Sequence, residues 1–97
     1  MAYFATFQGT AAEEHIDTVH EAVRILEQES QGQPGLIRYE FYQSAENPAI
    51  FLLFTIWEST ADLRAHVASD AHERHVASLP QGAWAIPPVK TDWLRLD

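Results

Sequence analysis

Three of the chain's five histidines, His66, His72 and His75, stand close together in ADLRAHVASDAHERHV. An imidazole with an unperturbed pKa of about 6.5 exchanges protons near neutral pH. Set beside apolar side chains, such groups suit the removal of a proton from a phenol or an anthrone. If the segment after Asp70 is helical, His72, His75, Val76 and Leu79 form one stripe, because offsets of three and four meet on one helix face. His66 borders Leu63 and Val67, at the edge of an apolar layer. His66 and His72 are therefore the candidate acid–base residues and His75 a candidate substrate contact. The competing reading is that each imidazole hydrogen-bonds a backbone carbonyl or water. The spacing H-x5-H-x2-H matches no recurrent zinc pattern and has no carboxylate placed with it, so no metal is expected. His15 and His20 lie apart, on an earlier segment, and are expected in solvent.

Four aromatic residues, Tyr39, Phe54, Trp57 and Trp84, are candidate walls for a flat ring, with core packing as the alternative for each. Trp84 falls in PQGAWAIPP, read as a loop, where its ring is expected to cover a cavity mouth. Arg38 is expected either to pair with an acidic residue or to hold a substrate oxygen. The four glycines form no phosphate loop, nucleophile elbow or dinucleotide fingerprint. No bound cofactor is expected.

The element that must position these side chains is the run Ile50–Trp57, IFLLFTIW, with seven apolar residues in eight. Its aromatics and isoleucines and its length predict a strand. Phe51, Leu53 and Trp57 leave one face; Ile50, Leu52, Phe54 and Ile56 leave the other. A strand apolar on both sides needs cover on both. Before it, residues 2–8 read as a first strand, with Tyr3, Ala5 and Phe7 on one face. Thr10 with Glu13 has capping-box spacing for a helix over 11–30, whose apolar stripe is Ala12, Ile16, Val19, Val23 and Leu26. Gly32 and Pro34-Gly35 end it. Leu36–Gln43 alternates as a second strand, with Ile37, Tyr39 and Phe41 on one face, and residues 44–49 read as the hairpin into the central strand. Ser59 or Thr60 caps a helix to about Ala68, and Ser69-Asp70 caps a further helical segment ending near Leu79-Pro80. The last strand is expected over 89–96.

This order, β-α-β-β-α-β, is that of the ferredoxin-like α+β fold: an antiparallel sheet with its helices on one face and the third strand central. The 97 residues are expected to make one domain over 1–97. The helices cover one face only, so a homodimer with sheets face to face is expected to cover the other. A formal charge of -8 disfavours nucleic acid and anionic membranes. The absence of cysteine excludes disulfides, thiolate metal sites and a cysteine nucleophile. Nothing in the sequence reads as a leader or a membrane span, which points to a soluble, cytoplasmic protein.

The helix ending before Pro34-Gly35-Leu36, the strand YEFYQ, the stretch NPAIFLLFTIWES and the helix ADLRAHVASDAHERH together resemble the antibiotic biosynthesis monooxygenase family, of dimeric α+β-barrel proteins. The resemblance implies a homodimer with a pocket between sheet and helices. It also implies cofactor-independent oxidation, by molecular oxygen, of a small aromatic substrate such as a quinol, an anthrone or a related phenolic ring. Other members degrade haem or process small signal molecules, so the fold does not settle the substrate. Two departures bear on this chain. The family often places its second histidine directly after a Ser-Pro or Ser-acid pair. Here Ala71 intervenes, leaving His72 or His75 as the counterpart. The positions answering to the haem branch's Asn, Trp and axial His are Phe7, His66 and Val76, so its haem apparatus is not expected. Three functions remain in view: a cofactor-free monooxygenase, an enzyme isomerising or degrading a small signal molecule, and a dimeric ligand-binding or stress module without turnover.

Overall fold

The doubly apolar run becomes an inner strand. A computed structural model describes residues 2–96. It contains β1 (Tyr3–Ala11), a 3-10 turn (Glu13–His15), α1 (Ile16–Ser30), β2 (Leu36–Gln43), β3 (Ile50–Trp57), α2 (Thr60–Val67), α3 (Asp70–Ser78) and β4 (Trp84–Trp93). The sheet runs β2-β3-β1-β4, every neighbouring pair antiparallel. This is the expected ferredoxin-like order, with its second helical connection broken into α2 and α3. No helix among the described residues is long and apolar enough to cross a membrane.

Register decides which side chains meet the helices. Tyr3, Ala5, Phe7 and Gly9 of β1 stand opposite Trp57, Thr55, Leu53 and Phe51 of β3, and Tyr39 and Phe41 of β2 stand opposite Thr55 and Leu53. These inner-face residues pack against Val19, Val23 and Leu26 of α1 and Leu63 of α2, in two clusters of core residues. Thr55, the one polar residue of β3, is fully buried but donates to the Ala5 carbonyl at 2.8 Å, so its hydroxyl carries no desolvation cost without return.

The other face is covered by no helix of the described residues. Phe4 and Phe54 meet edge to face at 4.6 Å, and the Arg38 guanidinium lies 4.7 Å from the Phe54 ring centre. Ile86, Val89 and Trp93 of β4 are each more than half exposed.

Several local expectations fail for identifiable reasons. Thr10 caps no helix. It belongs to β1, because strand pairing continues to Ala11, whose N–H donates to Ala49 at 2.7 Å while the Ala12 N–H donates to Ala83 at 2.8 Å. The helix starts instead through the 3-10 turn, whose cap position, Ala12, offers no side-chain hydrogen bond. The longer β1 draws β4 forward: Ala11 pairs with Trp84, so the last strand begins within the presumed loop and ends at Trp93. Pro87 and Pro88 lie within it, tolerated because β4 is an edge strand and its register shifts there. Ile37 is half exposed, because a register shift between Leu36 and Arg38 interrupts the alternation.

The turn between α1 and β2 rests on two glycines in the left-handed region, Gly32 at φ 83° and Gly35 at φ 80°. A Cβ on Gly32 would meet nothing, whereas one on Gly35 would overlap the Asp62 carboxylate, which accepts from the Ser59 hydroxyl at 2.9 Å. Gly32→Ala is therefore expected to cost about 1 kcal/mol, and Gly35→Ala at least about 2 kcal/mol, in urea unfolding. Equal losses would show that the Asp62 contact contributes nothing.

Candidate active site

The site starts from two short helices joined by one hydroxyl. Ser59 caps α2, accepting from the Asp62 N–H at 3.3 Å, and the helix buries Leu63 and His66. Ser69 then donates to the His66 carbonyl at 2.6 Å and accepts from the His72 N–H at 3.3 Å. A single side chain thus ends α2, caps α3 and sets the separation of the two histidines. Their rings meet edge to face, with centres 5.4 Å apart, and His75 follows 6.2 Å from His72.

Tyr39 arrives from the opposite side, on edge strand β2. Glu27 of α1 accepts from the Phe41 N–H at 2.7 Å, and Gln31 donates to the Tyr39 carbonyl at 3.3 Å. Side chains of α1 and of the residue that caps its end thereby satisfy backbone groups that the sheet leaves unpaired. Held this way, the Tyr39 hydroxyl lies 3.1 Å from His66 Nε2, while Gln33 Oε1 lies 3.2 Å from His66 Nδ1. Both nitrogens of His66 are engaged, and the residue is 2% exposed.

Between these groups and the sheet lies a cavity of about 490 Å³. Phe7, Phe41 and Leu53 form its floor, with α1 and α3 as walls. The polar side chains at its wall are Tyr39, His66, His72 and His75; no Asp, Glu, Lys or Arg of the described residues lines it. Volume and apolar lining suit a small organic ligand. Among the described residues, no three His, Asp or Glu side chains could hold a metal ion together.

Burial keeps the imidazoles neutral. His66 is lowered to about 4, first by desolvation and then by repulsion from His72 and His75. Desolvation also lowers His72 and His75, opposed at His75 by the Ala22 backbone. Desolvation raises Tyr39, which stays protonated. Among the described residues, His75 Nδ1 and Trp57 Nε1 are buried without a hydrogen-bond partner.

The structure brings His66, His72, His75, Tyr39 and Trp84 together around one cavity. Trp57 is fully buried outside its lining, its ring 5.3 Å from His66. Phe54 leaves β3 on the opposite face, since strand side chains alternate, and takes no part in the cavity. Trp84 is a wall rather than a loop lid: it is paired within β4, meets Phe51 edge to face at 6.1 Å, and lies over Gly9. A Cβ on Gly9 would come 3.0 Å from the Trp84 ring, so the glycine is what lets the indole lie across β1. Arg38 sits on the open face, paired with Glu40 at 2.6 Å. His20 is exposed beside Phe51, whereas His15 is half-buried rather than free in solvent. Sequence reasoning missed Gly9 and Gln33; the motif QGQPG reads only as a turn, and nothing in it signals a contact with α2.

The model of one protein family, antibiotic biosynthesis monooxygenase, matches residues 2–78, from β1 through the last residue of α3. The chain belongs to the antibiotic biosynthesis monooxygenase family. That membership supports a monooxygenase or small-molecule-binding role, and the matched span carries all three clustered histidines. No curated protein matches the chain. Solved structures share its fold. A Nitrosomonas europaea protein named for the same family is 21% identical, with 98% of this chain and 90% of that one covered and a TM-score of 0.89. A Pseudomonas aeruginosa protein is also 21% identical, covering 99% and 95%, at 0.87. A conserved Methanosarcina mazei protein is 20% identical, covering 96% and 91%, at 0.85.

The His66 environment ties this family member's stability to pH. Its folded pKa lies below the unfolded value of about 6.5, so the unfolded chain binds the extra proton. The native state is favoured above that value and loses stability as pH falls toward the folded pKa. Between about pH 7.5 and about pH 5 the loss expected from His66 alone is about 2 kcal/mol. Unfolding free energies from urea titrations at the two pH values should differ by this or more in the parent and by markedly less in His66→Gln.

Proposed function

We propose that the protein is a monooxygenase that oxidises a neutral phenolic, quinol or anthrone-like ring with molecular oxygen, without a bound cofactor. The observation that carries this reading is an apolar cavity whose polar side chains are three uncharged imidazoles and one tyrosine. A charged ligand would find no counter-charge there, whereas a flat neutral ring gains apolar burial and hydrogen bonds at one end.

Within that reading His72 is the proton acceptor. It makes no side-chain hydrogen bond among the described residues, and its ring nitrogens are not sealed from the cavity, so a lone pair is available to a ring hydroxyl or an activated C–H. His66 is spoken for at both nitrogens and acts by holding Tyr39 and packing edge-on against His72. His75, Tyr39 and Trp84 contact the substrate, while Trp57 supports His66 from behind. Deprotonation makes the substrate electron-rich enough to reduce oxygen itself. For an anthrone, the ring CH2 and O2 become a ring carbonyl and water, so all the electrons come from substrate. The protein's part is to bind the ring, take the proton and keep bulk water out.

Oxygen uptake across a panel of quinols and anthrones is the test. His72→Gln should lower uptake by about 100-fold or more, the scale of losing a general base, with the fold intact by circular dichroism. Parental turnover in that variant would remove His72 from the mechanism. Saturable binding of panel members without oxygen uptake would favour the non-catalytic binding module.

We also propose a homodimer closed over the open face of the sheet. Phe4, Leu52, Phe54 and Ile56 sit there, flanked by the exposed Ile86, Val89 and Trp93, and the protein's own helices cover only the other side. Light scattering over a dilution series should return about twice the chain mass, and Val89→Glu should shift it toward the monomer. A stable monomer at micromolar concentration would refute the arrangement.

A further inference from the structure

We propose that Gln33 is a positioning residue that fixes the His66 proton on Nδ1 and so obliges the Tyr39 hydroxyl to donate to Nε2. An amide oxygen only accepts hydrogen bonds, and Gln33 Oε1 stands 3.2 Å from Nδ1, so that nitrogen must carry the proton. A neutral imidazole has a single N–H. Its Nε2 is then a lone pair 3.1 Å from the Tyr39 oxygen, and the phenolic hydrogen is drawn to it. The hydrogen bonds run in one direction, from tyrosine to histidine to glutamine. The Tyr39 oxygen is left with its lone pairs, so this end of the cavity accepts a hydrogen bond from a ligand hydroxyl or N–H.

The loop carrying Gln33 is built to hold it. Its N–H donates to Ser30 at 3.2 Å and its carbonyl accepts from Leu36 at 3.1 Å. The left-handed Gly32 and Gly35 stand on either side. Turned inward from α1–β2, the amide reaches a helix thirty-three positions later in the chain. The titratable groups around His66 are His72 and His75 on α3 and Tyr39 on β2, with Glu27 of α1 acting on Tyr39. None supplies a carboxylate to the imidazole. Gln33 therefore orients the ring without charging it, where an Asp or Glu would hold an imidazolium.

Long-range 1H–15N correlation of the histidine rings in the uniformly labelled protein reads the tautomer directly, with His66 assigned through its loss in His66→Gln. At neutral pH His66 should show its proton on Nδ1. In Gln33→Leu the preference should weaken, with the proton shared between the two nitrogens. In Gln33→Glu the new carboxylate should raise the His66 pKa by about one unit or more. A proton on Nε2 in the parent overturns the proposal. So does a tautomer unchanged in Gln33→Leu together with an unmoved pKa in Gln33→Glu. No ligand enters these measurements, so the result stands whatever the substrate proves to be.

Discussion

A strand that is apolar on both faces cannot sit at a sheet edge or against water, and β3 imposes that condition on everything around it. It takes an interior place between β2 and β1, where both of its backbone edges are paired. Phe51, Leu53 and Trp57 then require a helical layer, which α1 and α2 provide with Val23, Leu26 and Leu63. At about 1.5–3 kcal/mol per large apolar side chain buried, this layer is the main source of the fold's cohesion. The remaining face is the one part of the condition a single chain leaves unmet.

The helical layer does not fill the space it covers. Its core residues fall into two clusters, one around Phe51 and Val19 and one around Trp57 and Tyr39, and the cavity borders both. A protein of this size has little stability to spare, and side chains that line a cavity of about 490 Å³ contribute less packing than they would in a closed core. Desolvated imidazoles add a further pH-dependent cost. Such imidazoles gathered around one apolar cavity are the kind of arrangement that a ligand site requires.

Precision around that cavity comes from polar contacts between elements rather than from packing. Ser69 holds the backbones of His66 and His72 together. Glu27 and Gln31 tie α1 to the free edge of β2 and so locate Tyr39, and Gln33 crosses from the same connection to His66. Four helix or turn residues that look like ordinary exposed polar side chains in the sequence thus set the geometry of Tyr39 and the two imidazoles.

Patterning determined the architecture. Period-two alternation in LIRYEFYQ, the helical stripe from Ile16 to Leu26, the unbroken run of β3 and the Ser caps of α2 and α3 are local signals, each readable because side-chain direction follows from backbone type. The histidine cluster was legible for the same reason: offsets of three on α3 put His72 and His75 together once Ser69 begins the helix. Element limits set by partners were not legible. Whether residues 10 and 11 start a helix or finish a strand depends on Ala49 and Ala83, far away in the chain, and the same pairing converted the Trp84 segment from loop to strand. Nor could composition place Phe54 outside the cavity, because β3 is equally apolar on both faces and only the location of the helices tells them apart. The partners of His66 lie 27 and 33 residues away on two different elements. Contacts of that range are decided by the tertiary structure, since no local preference of a glutamine in a turn or a tyrosine in a strand specifies which imidazole it will meet.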